Sequence, residues 1–194
     1  MRAVLFDWSN TLVRFEWDND LLEAGHVAGL GAVGRGEEAA AFTERFVVAE
    51  YEAWRPATTL ADAAHALLES LRSRGLKLGI VANHWPEPAW VVREEIAEFG
   101  VLERVDAVVL SGEVGARKPE PAIFEYALEV LGVEPFEAMF VGDRLEADVG
   151  GAGRLGLITV QALWFRADEG PGPEPDFLAF TPMDVLTAVR RLPA

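Results

Sequence analysis

MRAVLFDWSNTL, residues 1–12, carries an unbroken apolar run from Ala3 to Phe6 that ends on the carboxylate of Asp7. Four apolar residues without polar alternation are the pattern of a strand covered on both faces. A carboxylate closing such a strand adds nothing to packing, but it is well placed for chemistry. In open parallel sheets, ligands bind beyond the carboxyl ends of the strands. Similar short runs recur at Lys77–Ala82, Ala107–Leu110, Ala138–Val141 and Leu157–Val160. The stretches between them have helical periodicity, so the expected fold class is α/β: a three-layer, Rossmann-like, mostly parallel sheet.

The helical stretches carry their own punctuation. TTLADAAHALLESLRSRG, residues 58–75, offers Thr59 as N-cap, Asp62 three residues later and Gly75 as a stop. PAIFEYALEVLGV, residues 121–133, puts Ile123, Phe124, Ala127, Leu128 and Leu131 on one face and ends at Gly132. PAWVVREEIAEFG, residues 88–100, stops at Gly100 in the same way. About seventy residues separate the first two strands, far more than one crossover helix needs. Within them, residues 14–56 read as a small helical cap, with helices near Asn19–Leu30 and Glu37–Trp54 around the Gly-rich GLGAVGRGEE. The core is then 1–13 with 57–194. Residues 167–180 read as a Pro/Gly/acid loop, and a last helix is expected near Pro182–Leu192.

Composition narrows the function. The 194 residues are 51% hydrophobic and 25% charged, enough for a packed core. A formal net charge of −15 repels nucleic acid and anionic membrane, so neither is an expected partner. An anionic substrate would need a metal or a few placed cations. The absence of cysteine excludes disulfides, thiolate metal sites and a Cys nucleophile. With no basic-then-apolar leader and no apolar run of spanning length, the expected location is the cytoplasm.

Polar groups gather where strands end: Asp7 after the first, Asn83 and His84 after the second, Asp143 and Asp148 after the fourth. Lys118 follows the third strand and precedes a helix. Singly, each reads as a cap or a solvated loop residue. Together, carboxylates from two strand ends plus a cation suit a hard metal such as Mg²⁺. Trp8 and Trp85 would wall a pocket or fill the top of the core, and Trp17, Trp54 and Trp90 fit helical packing faces.

LFDWSNTL, IVANHW, RKPEPAIFEYAL and FVGDRLEADVGGAGRLGL resemble, in order and spacing, the four motifs of the haloacid dehalogenase-like (HAD) hydrolases. The resemblance runs from Met1 to about Val160. It implies a phosphatase acting on a small phosphorylated substrate, with Asp7 as the nucleophile that forms an aspartyl-phosphate. It further implies Mg²⁺ held by Asp7, the Ser9 backbone carbonyl, Asp143 and Asp148, with Lys118 neutralising the charge around Asp7. Thr11 would be a positioning residue.

Two positions depart from the family pattern. Ser9 stands where phosphatases carry an acid/base Asp, which puts general catalysis worth roughly 10²–10⁴-fold in doubt. Ala82 stands where a Ser or Thr meets a phosphoryl oxygen, so Asn83 would have to supply that hydrogen bond. His84 is the best substitute acid/base, because its ordinary pKa lies near neutrality; the competing reading is a loop residue hydrogen-bonded to backbone. The alternatives are a weakly catalytic or non-catalytic relative that binds a phosphorylated ligand, and a dehalogenase-type hydrolase, against which the intact Gly142-Asp143 argues. A Schiff-base mechanism of the phosphonoacetaldehyde type would need a cap lysine, and Val13–Gly75 contains none.

Overall fold

The computed structural model describes residues 1–15, 24, 25, 27–29, 39–55, 58–84, 89–166 and 170–192. Six parallel strands form one sheet: β1 (Ala3–Phe6), β4 (Lys77–Ala82), β5 (Ala107–Leu110), β6 (Ala138–Gly142), β7 (Ile158–Ala162) and β8 (Phe177–Ala179). Their spatial order is β5-β4-β1-β6-β7-β8. A separate antiparallel ribbon joins β2 (Val13–Phe15) to β3 (Thr58–Leu60), with Phe15 opposite Thr58. The residues between these two strands therefore leave and re-enter the chain's main body at one place, and the helix Ala39–Trp54 belongs to that excursion.

Alternation along each strand makes the three layers. Val4 and Phe6 of β1, with Ile80, Met139, Val141 and Val160, face a core closed by the helices Ala64–Arg72, Ala89–Glu98 and Asp184–Arg191. Ala3 and Leu5 of β1, with Val81, Val109 and Phe140, face a second core closed by the helix Pro121–Leu131. Leu67, Leu68 and Leu71 are fully buried on one side, and Ile123, Phe124 and Ala127 on the other. Burying each such large side chain contributes roughly 1.5–3 kcal/mol, which is what pins the register of β1 against both neighbours. Gly132 closes its helix in the left-handed region at φ 62°.

Three expectations need correcting. Thr59 does not cap a helix: pairing with β2 claims Thr58–Leu60 as a strand, and the helix starts at Ala64 behind a left-handed Ala63 without a side-chain cap. The β-branched Thr58 and Thr59 suit a pleated edge better than a first helical turn. The Pro/Gly/acid loop contains an unexpected strand, β8, paired with β7 from Val160↔Phe177 to Ala162↔Ala179. Its entry is fixed by Asp176, whose Oδ2 accepts from the Thr159 backbone N–H at 2.8 Å. Trp90 is 45% exposed rather than packed. The expected helix at Asn19–Leu30 lies mostly outside the described residues, as do Trp17, Trp85 and the Trp54 side chain.

Candidate active site

From β1 the chain moves outward through β4 to β5, then returns to the other side of β1 as β6. The order thus reverses between β1 and β6, and such a switch point opens a crevice at the carboxyl ends of the strands. Phe6 is level with Val141, and the Asp7 backbone N–H extends the ladder by donating to the Val141 carbonyl at 2.8 Å. Asp7 and Gly142-Asp143 therefore emerge side by side at the crevice.

A buried lysine joins this pair to a third carboxylate. Lys118 Nζ donates to Asp7 Oδ1 at 2.5 Å and to Asp148 Oδ1 at 2.7 Å, and it lies 5.3 Å from the centroid of the Phe140 ring. Lys118, Asp143 and Asp148 are almost fully buried, and Asp7 is 8% exposed. The lysine is held from behind by Asn83, whose Nδ2 donates to the Lys118 carbonyl and whose Oδ1 accepts from the Lys118 N–H, both at 2.8 Å. Asp148 projects from the π-helical turn Leu145–Gly150 and lies across Gly142. A Cβ on residue 142 would stand 2.4 Å from Asp148 Cγ, so the glycine is required for that carboxylate to reach the site.

Asp7, Asp143 and Asp148 each present a carboxylate oxygen, all within 4.8 Å of one another. Asp143 Oδ2 is buried and accepts no hydrogen bond among the described residues. Arg166 Nε stands 3.1 Å from it as an ion pair without hydrogen-bond alignment. Three buried carboxylates, one of them with an oxygen short of hydrogen bonds, fit an oxygen-ligated divalent cation.

Burial raises the Asp7 carboxyl to about 7 against the pull of Lys118, with Asp148 and Asp143 adding to the rise. Burial likewise raises Asp143 to about 6, with Asp148 adding and Arg166 opposing. Lys118 loses to desolvation, but Asp148 and Asp7 outweigh that loss, so it is held above the ordinary lysine range. The sign of the resulting pH dependence is fixed. Folded Asp7 and Asp143 keep protons that the unfolded chain has already released, so stability falls as pH rises from about 4 towards 7. In chelator, the thermal midpoint is expected to be lower at pH 8 than at pH 5 by about 4 °C or more, the shift that roughly 1–2 kcal/mol produces at this chain length. Saturating Mg²⁺ should shrink the difference. A midpoint higher at pH 8 in chelator would contradict this electrostatic account.

The remaining sequence candidates sit around this cluster in different ways. Ser9 is exposed, bridged to Val13, on a turn where Asn10 takes the left-handed conformation at φ 60°. Thr11 is fully buried with no hydrogen-bond partner for Oγ1 among the described residues, and its carbonyl accepts from Trp164 Nε1 at 2.8 Å. Asn83, expected to face the substrate, has its amide engaged with the Lys118 backbone. His84 exchanges hydrogen bonds with Ser111 Oγ through its own backbone N–H and carbonyl, each at 3.1 Å. Its Nε2 accepts from the Gly112 N–H at 3.0 Å.

Sequence reasoning missed one contact of the site and one buried support. Arg166 had no periodic pattern to mark it. Trp164, which follows β7 and was expected either to approach the cleft or to be buried, is half-buried and donates to the Thr11 carbonyl. Glu95, by contrast, was findable: it is in step with Val91, Val92 and Ile96 on the apolar face of its helix. It is buried there, accepting from Trp8 Nε1 at 2.6 Å. Trp8, beside Asp7, therefore fills the core and packs 6.2 Å from Phe99.

Comparison with known proteins bears on the family and the fold. The sequence model described as haloacid dehalogenase-like hydrolase matches residues 1–156. A glyceraldehyde 3-phosphate phosphatase of Methanopyrus kandleri is 39% identical over 132 residues, which cover 64% of this chain and 54% of the relative. A phosphoserine phosphatase of Thermus thermophilus is 40% identical over 57% of this chain and 41% of its own length. The chain thus spans about half the length of the curated relatives it matches. The crystal structure of a HAD phosphatase from Thermococcus onnurineus is 27% identical and superposes with a TM-score of 0.72, covering 97% of this chain and 98% of that one.

Proposed function

This chain belongs to the haloacid dehalogenase-like hydrolase family, and from that premise we propose that it is a Mg²⁺-dependent phosphatase working through an aspartyl-phosphate on Asp7. The observation that carries the reading is Lys118 bonded to both Asp7 and Asp148 at the sheet's switch point, with Asp143 in reach. An arrangement serving stability alone gains nothing from gathering mutually repelling carboxylates there. The matched relatives are phosphatases of small phosphorylated compounds, and the same substrate class is proposed here.

Lys118 engages Asp7 Oδ1 and leaves Oδ2 to attack phosphorus. The Oδ2–P bond forms as the bond from phosphorus to the leaving oxygen breaks, and that oxygen takes a proton from water. A second water then adds to phosphorus, giving a proton to the hydroxide left by the first, the Oδ2–P bond breaks and inorganic phosphate departs. Lys118 offsets the negative charge that accumulates in both steps. Asp7, Asp143, Asp148 and the Ser9 carbonyl would hold the Mg²⁺, which supplies Lewis-acid polarisation of a phosphoryl oxygen when bound. Asn83 acts as a positioning residue for Lys118. Residues 14–56 are proposed as the cap that selects the substrate, on a core of 1–13 and 57–194, and the cytoplasm is the proposed location. Among the described residues no helix is long and apolar enough to cross a membrane.

Ser9 sets the expected limits of the activity. A Ser hydroxyl is too weak an acid to assist the departure of an alkoxide, so aryl and acyl phosphates should turn over faster than alkyl phosphates. Ser9 is exposed, so an Asp there meets no packing penalty. Ser9→Asp is expected to raise kcat on an alkyl phosphate by about 10²-fold, with a smaller gain on p-nitrophenyl phosphate. Equal gains on both would show that the leaving group is not what Ser9 fails to serve. The functional test is hydrolysis of p-nitrophenyl phosphate and acetyl phosphate with and without Mg²⁺. Metal-dependent turnover supports the reading, and metal-independent turnover or none overturns it.

A further inference from the structure

Lys118 and Arg166 both form ion pairs with the carboxylate cluster, and they are held very differently. The Lys118 side chain is 3% exposed and is fixed by two carboxylates and the Asn83 clamp on its backbone. The Arg166 side chain is 44% exposed, and its ion pair is with the buried Asp143 Oδ2, which accepts no hydrogen bond among the described residues. Asp143 gives one carboxylate oxygen to the triad proposed above to ligate Mg²⁺, and Oδ2 is its oxygen left short of hydrogen bonds. A guanidinium and a metal ion cannot both sit in front of it at close range.

Resting on that metal reading, we propose that Arg166 is an internal competitor for the divalent cation: it holds the Asp143 oxygen the cation would take, and thereby sets the cation's affinity. The charges favour exchange. With all three carboxylates ionised, one ammonium and one guanidinium leave them with one negative charge, and trading the guanidinium for a divalent cation brings that set to neutrality. Half-exposed, Arg166 can swing into water at little loss of solvation, whereas Lys118 cannot. Guanidinium stays protonated at every physiological pH, so Arg166 keeps its own charge throughout. The cation must therefore displace a resident charge rather than enter a bare site.

The test is Mg²⁺ binding to the whole chain by calorimetry, without substrate, in wild type, Arg166→Gln, Arg166→Lys and Asp143→Asn. The ion pair is partly solvated, so Arg166→Gln is expected to tighten Mg²⁺ binding by about 3- to 10-fold. Arg166→Lys, which keeps the charge, should stay near wild type. Unchanged or weaker binding in Arg166→Gln, with wild type binding and Asp143→Asn not, would overturn this inference alone. No saturable binding in wild type would overturn the metal reading and this inference with it. A raised KM for substrate in Arg166→Gln at unchanged Mg²⁺ affinity would make Arg166 a substrate contact and not a competitor. Thermal midpoints of the variants in chelator separate these outcomes from misfolding.

Discussion

Asp7→Asn is expected to abolish Mg²⁺-dependent hydrolysis, by about 10⁴-fold or more, while leaving the protein folded and more stable at pH 8. The amide keeps the size of the carboxyl, but it cannot form the bond to phosphorus on which the covalent route depends. Stability should move the other way because ionised Asp7 is disfavoured where it sits: burial, Asp148 and Asp143 together outweigh Lys118. Removing that charge relieves repulsion, and Lys118 keeps its bond to Asp148 at 2.7 Å. Each kcal/mol recovered should raise the midpoint by about 2–4 °C. Activity and stability measured on the same preparation must therefore diverge. Loss of both would mean that Asp7 is a structural group, and retained turnover would remove it from the chemistry.

Lys118→Met has the second largest expected effect, and here both readouts fall. Methionine fills the space beside Phe140, but it leaves Asp7 Oδ1 and Asp148 Oδ1 without their shared donor. Removing one partner of a buried ion pair typically destabilises by about 3–5 kcal/mol, because the remaining charge has no solvent. The two carboxylates can escape by binding protons, so the loss in midpoint should be smaller at pH 5 than at pH 8. Turnover should drop by roughly 10³-fold through the lost stabilisation of transition-state charge. Chemical denaturation and steady-state kinetics at the two pH values check both parts. A loss in midpoint independent of pH would show that Lys118 matters for packing and not for charge.

How far the sequence could be read depended on whether a residue's partners were local. The apolar run Ala3–Phe6 announces a strand buried on both faces by itself, and the observed strand has those bounds. Gly132 ends its helix where a stop was expected, since a left-handed cap is a property of one residue and its neighbours. Asp7, Lys118, Asp143 and Asp148 were legible as a set because each follows a strand, and a parallel sheet brings such ends together.

What stayed hidden was decided by distant pairing. β8 is three residues long amid prolines and glycines, and it is a strand only because β7 and the Asp176 carboxylate hold it there. Thr59 has a sound capping signature, which the ribbon with β2 overrides. The Asn83 amide is as suited to a phosphoryl oxygen as to a peptide, and only the fold brings the Lys118 backbone within its reach. Arg166 carries no pattern at all. Its meaning comes from an oxygen 23 residues earlier in the chain.

The central claim is that Asp7 carries the phosphoryl group, and the most direct measurement is its capture. Wild type and Asp7→Asn would be mixed with acetyl phosphate and Mg²⁺, quenched in acid and digested, and the peptides weighed by mass spectrometry. The account predicts one added phosphoryl group on the peptide containing Asp7, labile to base, dependent on Mg²⁺ and missing from Asp7→Asn. A phosphoryl group on a different residue, or rapid turnover of acetyl phosphate with no phosphoryl-enzyme at any time of quenching, would contradict it.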